Sequence, residues 1–357
     1  MRGDPRATWS DVARRLAAFV LGGAAVLAGA LAVVAVASGG HLTVPERLGE
    51  AHPSAYADGP PQAPPALVVR GARLTTTDDT PAGLRGVMVP DPAVLREEGR
   101  LDADLFAEIA ATGANVVRLP VHPGHWRADR DYLWRSLEPA VRHASQAGLW
   151  VIVDWHVIGD VEAGTSPNGE LFAATRAETE AFWTQVADYF APAPNVLFEL
   201  VNESTGPGGD AWRATAQELV DLVRQHSAAP VIIGGTQYSR DLSWVAEQPL
   251  RGDGIVYASH VYPAHGKAGW DGWFGDVAAE HPVLLTEWGF TDHELDPDDP
   301  YLWGTAEGYA APLLEYAQAR GVGWVACWYD ETWNPVMFGA GGEPTPWGAF
   351  VLDALAR

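Results

Sequence analysis

The sequence predicts an α/β protein whose main body is a (β/α)8 barrel, a TIM barrel. Three observations point there. Short apolar runs alternate eight times with longer, helix-like stretches over the C-terminal three quarters of the 357 residues. Nearly every apolar run ends in polar or ionisable residues. No Gly-rich phosphate-type loop follows the first run, which weighs against the runner-up fold, a doubly wound open sheet.

The elements follow in order. Residues 1–15 are polar and carry Arg2, Arg6, Arg14 and Arg15, and read as a cytoplasmic tail. Leu16 to Ala37 then runs without a charge. About 20 apolar residues suffice to cross a bilayer, and arginines ahead of the run favour an inside tail with the remainder outside. The expectation is a transmembrane signal-anchor helix over 16–37, holding an extracellular domain at the cell membrane. The alternative is a cleaved signal peptide and a secreted protein, because Ala35-Val-Ala37 before Ser38-Gly-Gly resembles a cleavage site. Residues 38–66, rich in Pro, Ala and Gly, read as a linker.

The barrel domain is expected over 67–357. A small hairpin comes first, from Leu67. Strands are expected at Arg85–Val89, Asn115–Val121, Trp150–His156, Val196–Glu203, Pro230–Gly235, Ile255–Tyr262, Val283–Gly289 and Gly323–Tyr329. These runs are near-continuously apolar, as strands buried on both faces must be. Helices are expected over 101–112, 131–147, 171–190, 210–227, 241–248, 272–280, 305–320 and 346–356.

Composition narrows the function. Net charge is −23, and Lys267 is the one lysine. So acidic a surface repels nucleic acid and suits a neutral partner such as a polysaccharide. Sixteen tryptophans serve equally as core filling or as flat platforms for sugar rings. The single cysteine, Cys327, lies in an apolar run and reads as a buried, inert thiol. A monomer is expected.

The strand ends carry the chemistry. They supply Arg118, Asp154-Trp-His156, Asn202-Glu203, His260-Val-Tyr262, Glu287-Trp288 and Trp328. In a barrel these ends converge on one face, so residues far apart in sequence form one cluster. Two carboxylates from different strands are what cleavage of a glycosidic bond requires, one held protonated and one ionised. Glu203, preceded by Asn202, is the candidate acid/base. Glu287 is the candidate nucleophile, with Arg118 favouring its ionised form and Tyr262 orienting it. Asn202, His156 and His260 can hydrogen-bond substrate or the acid, and Trp328 offers a face to a pyranose ring.

The chain resembles glycoside hydrolase family 5, the cellulase family, within the clan A retaining glycosidases. Asn115-Val-Val-Arg-Leu-Pro120, Val153-Asp-Trp-His156, Asn202-Glu203, His260-Val-Tyr262, Glu287-Trp-Gly289 and Trp328 carry the resemblance, which spans residues 67–357. It implies a retaining enzyme acting on β-linked polysaccharide or oligosaccharide, endo-β-1,4-glucanase-like, with no cofactor and no metal. A β-mannanase or an exo-β-glucosidase is the alternative within the family. Ser204 stands where the family usually has Pro, and Val87-Met-Val replaces its Gly-x-Asn after the first strand. Two other readings remain: a zinc hydrolase using His122, His125, Asp154 and His156, and a non-catalytic carbohydrate-binding protein.

Overall fold

The computed structural model describes residues 54–56, 63–206, 208–292 and 299–357. The expected tail and membrane helix, and most of the linker, lie outside the described residues. Among the described residues no helix is long and apolar enough to cross a membrane. Within the stretch read as linker, Tyr56 is buried and packs on Tyr189 and Phe190, with ring centroids 6.3 and 5.5 Å away. An aromatic side chain gains too much by burial to stay on a free tether when an apolar face is within reach.

Twelve strands occur among the described residues: β1 (Leu67–Arg70), β2 (Arg73–Thr76), β3 (Arg85–Met88), β4 (Val116–Val121), β5 (Trp150–Trp155), β6 (Ile158–Gly159), β7 (Val196–Glu199), β8 (Glu203–Ser204), β9 (Val231–Gly234), β10 (Ile255–Val261), β11 (Val283–Trp288) and β12 (Gly323–Ala326). The first two pair antiparallel as the expected hairpin. Eight of the others close a parallel barrel in the order β10-β11-β12-β3-β4-β5-β7-β9. The expected barrel is therefore present, with each of its eight strands inside or overlapping a run read from sequence.

Alternation along the strands builds two cores. Met88, Val116, Ile152, Leu197, Ile232, Val256, Leu284 and Val325 fill the barrel interior. Their neighbours Val117, Val153, Phe198, Ile233, Leu285 and Ala326 face the surrounding helices. Residues two positions further along β4, β5 and β7, namely Arg118, Asp154 and Glu199, share the interior phase and sit above the apolar layer. Close approach sets Gly86: a Cβ there would stand 1.8 Å from the Val116 carbonyl oxygen.

The helices begin where capping chemistry allows. Arg176–Phe190 starts at Thr175, whose hydroxyl accepts from the Glu178 N–H while Glu178 reaches back to the Thr175 N–H, a full capping box. That cap explains why the helix starts five residues later than expected. Pro92–Glu97 and Pro123–Ala128 form two further short helices, outside the stretches expected to be helical. Both begin with Pro, which suits a first helical turn, but six residues give too little periodicity to read.

Two departures shape the mouth of the barrel. The strand expected through Glu203 ends at Glu199. Leu200 and Val201 both turn to the outer core, and Glu203–Ser204 pairs instead with Ile158–Gly159 in a separate two-stranded sheet. In β11, the pairs Ala258–Leu284 and His260–Glu287 set two residues of β10 against three of β11. Such a bulge re-aims side chains. It brings Glu287 inward although it lies an odd number of positions from Leu284, while Thr286 keeps the interior phase.

Candidate active site

All eight residues singled out from the sequence converge at the carboxyl ends of the barrel strands. Arg118 is fully buried and is the hub. Its Nη1 donates to Glu287 Oε1 at 2.7 Å, its Nε to Glu199 Oε2 at 2.6 Å and its Nη2 to Asn202 Oδ1 at 2.7 Å. Asp154 Oδ2 lies 3.2 Å from the same guanidinium. The planar fork of arginine is what allows one cation to serve several acceptors at fixed angles.

Glu287 receives a second donor, the Tyr262 hydroxyl at 3.0 Å. His260 Nδ1 lies 2.8 Å from Glu203 Oε1 and its Nε2 lies 3.0 Å from Thr286 Oγ1. His156 Nδ1 is held on Asp154 Oδ2 at 2.6 Å, not on the acid carboxylate, which leaves the opposite ring edge to the cavity. Asn202 gives its oxygen to Arg118, and its buried Nδ2 has no hydrogen-bond partner among the described residues. An orphaned buried polar group of this kind is costly unless water or a ligand meets it.

The two glutamates sit close together, with one carboxylate oxygen of each within 4.8 Å of the other. Their surroundings push them apart in acidity. Burial raises the Glu203 carboxyl, and the His260 hydrogen bond only partly opposes it. Burial would raise Glu287 too, but the His260 and Arg118 charges outweigh it and hold that carboxyl at about 2. One carboxyl is thereby biased to keep a proton and the other to lose it, the division of roles that acid and nucleophile need. Burial pushes Asp154 up to about 7 against the pull of Arg118.

A cavity of about 550 Å³ opens over this cluster and is lined by Glu203, Glu287, His156, Tyr262, Trp328 and Trp333, among others. A larger cleft of about 860 Å³ lies at the opposite end, against β1, β2 and the last helix, and has neither member of the carboxylate pair. The chemistry therefore belongs to the smaller cavity. Trp328 and Trp333 lie 4.7 Å apart between ring centroids and form an aromatic wall with His156. Trp333 is held by Asp330, whose Oδ1 accepts from the Thr332 and Trp333 backbone N–H groups at 2.7 and 3.1 Å. Arg100 clamps the other oxygen of Asp330 at 2.6 Å.

Of the four residues weighed as zinc ligands, His122 and His125 gather with Asp91 in one cluster and His156 pairs with Asp154, and the His122 and His156 rings lie 4.6 Å apart between centroids. His122 and His125 turn to Asp91, with Nδ1 atoms 2.9 and 3.0 Å from its Oδ2, while His156 turns to Asp154. Sequence reasoning missed Glu199, Thr286 and Asp91 as members of these networks. Glu199 was visible as a lone charge inside an apolar run, in phase with Leu197. Asp91 carried no such signal, because its role depends on the fold bringing residue 122 beside it.

A closed parallel barrel with a close pair of buried carboxylates, both facing His260, at its carboxyl end defines the class: a barrel protein with paired acids on the face where barrels collect their polar groups. A family model described as Cellulase (glycosyl hydrolase family 5) matches residues 76–331. The chain belongs to that family. It is 26% identical over 306 residues to Endoglucanase E-5 of Thermobifida fusca, covering 81% of this chain and 61% of that protein. Endoglucanase N of Pectobacterium atrosepticum is 28% identical over 227 residues, 60% of this chain and 46% of that protein. The chain thus spans about half the length of these curated relatives. Among solved structures, the β-glucanase SdGluc5_26A from Saccharophagus degradans superposes with a TM-score of 0.77 at 27% identity, covering 81% of this chain and 92% of that one. It has also been solved in complex with cellotetraose.

Proposed function

We propose that the protein is a retaining glycoside hydrolase that cleaves a β-linked glucan in the manner of an endo-β-1,4-glucanase, with Glu203 as acid/base and Glu287 as nucleophile. One observation carries the reading: the two carboxyl groups approach within 4.8 Å and are biased to opposite protonation states. Retaining enzymes place them about 5–5.5 Å apart, whereas inverting enzymes need about 6.5–9.5 Å to admit a water. Glu203 would protonate the leaving oxygen while Glu287 attacks the anomeric carbon. Glu203, now ionised, would then take a proton from the water that releases the sugar. Asn202 Nδ2 would donate to a sugar hydroxyl beside the reacting carbon, and Trp328 would carry the ring face. The glucan assignment draws support from the endoglucanase relatives and from the glucanase solved with cellotetraose.

The test is proton NMR of the first product released from a β-glucan oligosaccharide. The β-anomer is expected first, and early α-anomer would overturn the double displacement. A panel of carboxymethyl-cellulose, mixed-linkage β-glucan, glucomannan and xylan assigns the glycan, and faster turnover of glucomannan would favour a mannanase. Residues 16–37 are proposed as a membrane anchor on the strength of their uncharged run. Recovery from the medium of protein lacking residues 1–37 would favour the cleaved form instead.

A further inference from the structure

We infer that Thr286 and Glu199 are positioning residues that fix the tautomer of His260 and, through it, keep one proton on the Glu203–His260 pair. The inference rests on the acid/base reading of Glu203. Its ground is a chain of hydrogen bonds whose direction is set at one end. Glu199 Oε2 accepts from Arg118 Nε at 2.6 Å, and Glu199 Oε1 accepts from the Thr286 hydroxyl at 2.7 Å. A hydroxyl has one hydrogen. With that hydrogen given to Glu199, Thr286 can offer His260 Nε2, 3.0 Å away, only a lone pair. His260 Nε2 must therefore carry a hydrogen.

The consequence falls on the other ring nitrogen, Nδ1, 2.8 Å from Glu203 Oε1. In a neutral ring Nδ1 is an acceptor, so Glu203 must be the donor and holds its proton. In a cationic ring Nδ1–H donates to the carboxylate. Either way one proton lies between Nδ1 and Oε1, and it is the proton the leaving oxygen takes. A chain running the other way would put Nδ1–H of a neutral ring against Glu203 Oε1, which favours the ionised carboxylate and leaves no acidic proton on that link. Glu199, Thr286 and His260 are at most 1% exposed, so bulk water does not replace these links.

The polarity depends on an ionised Glu199. Burial raises its carboxyl, and the Arg118 charge and hydrogen bond oppose that rise. Other charges face the pair from each neighbouring strand. Glu287 on β11 has Oε2 3.5 Å from His260 Nδ1. Arg118 on β4, Asp154 on β5, His156 just after it, and His265 after β10 also act on His260 electrostatically. Tyr262 and Tyr301 feel the Glu203 charge. Among the described residues Thr286 alone hydrogen-bonds Nε2, with Glu199 Oε1 4.0 Å from that nitrogen, so the Thr286 link is what sets the hydrogen there.

Glu199→Gln reverses the chain without changing its shape. Arg118 Nε keeps the amide oxygen on its side, so the amide NH2 faces Thr286 and donates to it. The Thr286 hydrogen then turns to His260 Nε2, and Nδ1–H donates to an ionised Glu203. Thr286→Val breaks the chain at the same point, and Thr286→Ser restores it. The readout is kcat/KM against pH on cellotetraose, whose leaving group needs a proton, and on 2,4-dinitrophenyl β-cellobioside, whose leaving group does not. Both Glu199→Gln and Thr286→Val are expected to move the alkaline limb on cellotetraose to lower pH by about one unit or more, with about a tenfold loss above the limb for each unit. On the dinitrophenyl substrate they should stay within about threefold of the native protein, since no general acid is used. Thr286→Ser should return the limb to its native place. Equal losses on both substrates, or an unmoved limb, would overturn the inference. Glu203→Gln run alongside separates the two levels: native-like rates on cellotetraose would overturn the acid assignment and this inference with it. A normal leaving-group dependence in that variant, with none in the other two, would overturn this inference alone. If Glu199→Gln does not fold, the Thr286 pair, which changes no charge, decides the matter.

Discussion

Replacing Arg118 with Met tests whether one buried cation organises the whole site. Met keeps most of the side-chain volume but removes the charge that Glu287, Glu199 and Asp154 share within 3.2 Å. Breaking a buried ion pair by removing one partner costs about 3–5 kcal/mol. With three carboxylates and the Asn202 oxygen left behind, about 5 kcal/mol is the expected loss by that measure. At roughly 2 °C per kcal/mol for a domain of this size, the melting temperature should fall by about 10 °C.

The pH dependence sharpens the same test. Glu287 sits at about 2 against an ordinary 4.5, because the His260 and Arg118 charges outweigh burial. Its folded form is depressed, so its stabilising contribution is complete above pH 4.5 and is lost as pH falls toward 2. That gap corresponds to about 3 kcal/mol. A nucleophile must be ionised, so in the role proposed for Glu287 the acidic limb of kcat/KM reports this group. Without Arg118 the carboxyl rises, and the acidic limb should move up toward and past pH 4.5. The assays are thermal unfolding at neutral pH and kcat/KM from pH 3 to 7. A melting change under about 2 °C, or an acidic limb that stays in place, would refute the argument that this cation sets the site.

Three further perturbations follow from the geometry. Glu287→Ala and Glu203→Ala should each lose several orders of magnitude in turnover; azide should rescue the first with inverted product and the second with retained product, and the opposite stereochemistry would exchange their roles. Gly86→Ala forces a Cβ to 1.8 Å from the Val116 oxygen, so β3 and β4 must separate, at an expected cost of about 3 kcal/mol in urea unfolding; an unchanged midpoint would show that the barrel yields there. Asp91→Ala strands the buried Ala93 and His122 backbone N–H groups and the Tyr132 hydroxyl, now 2.7, 2.9 and 2.7 Å from its carboxylate; with unsatisfied donors costing about 1–3 kcal/mol each, about 4 kcal/mol should be lost, read from the same unfolding curves.

Much of the fold was legible because parallel strands buried on both faces leave continuous apolar runs, and eight such runs survive any uncertainty about their ends. The site residues were legible for a related reason. Arg118, His156, Glu203, His260 and Glu287 interrupt apolar runs at the end where a barrel collects polar groups. The strand through Glu203 was misread because Leu200 and Val201 look like its continuation; they are apolar, but they pack outward where the chain leaves the barrel. Short helices at Pro92–Glu97 and Pro123–Ala128 were missed because six residues make too little pattern.

Sequence alone determined that one glutamate lies near the end of a buried strand and another just beyond the end of a second, and that arginine, histidine, tyrosine and tryptophan stand near them. Local patterning suffices for that, since burial and strand direction are written in each run. Only the tertiary structure decided how the groups are wired. The bulge in β11 turns Glu287 inward beside Thr286, a reversal of phase that strict alternation forbids. The closed strand order sets Arg118 between Glu199 and Glu287, which are 81 and 169 residues away in the chain. Hydrogen-bond direction and the opposed acidities of two carboxyls depend on interatomic distances, and such distances arise only when non-local strands meet.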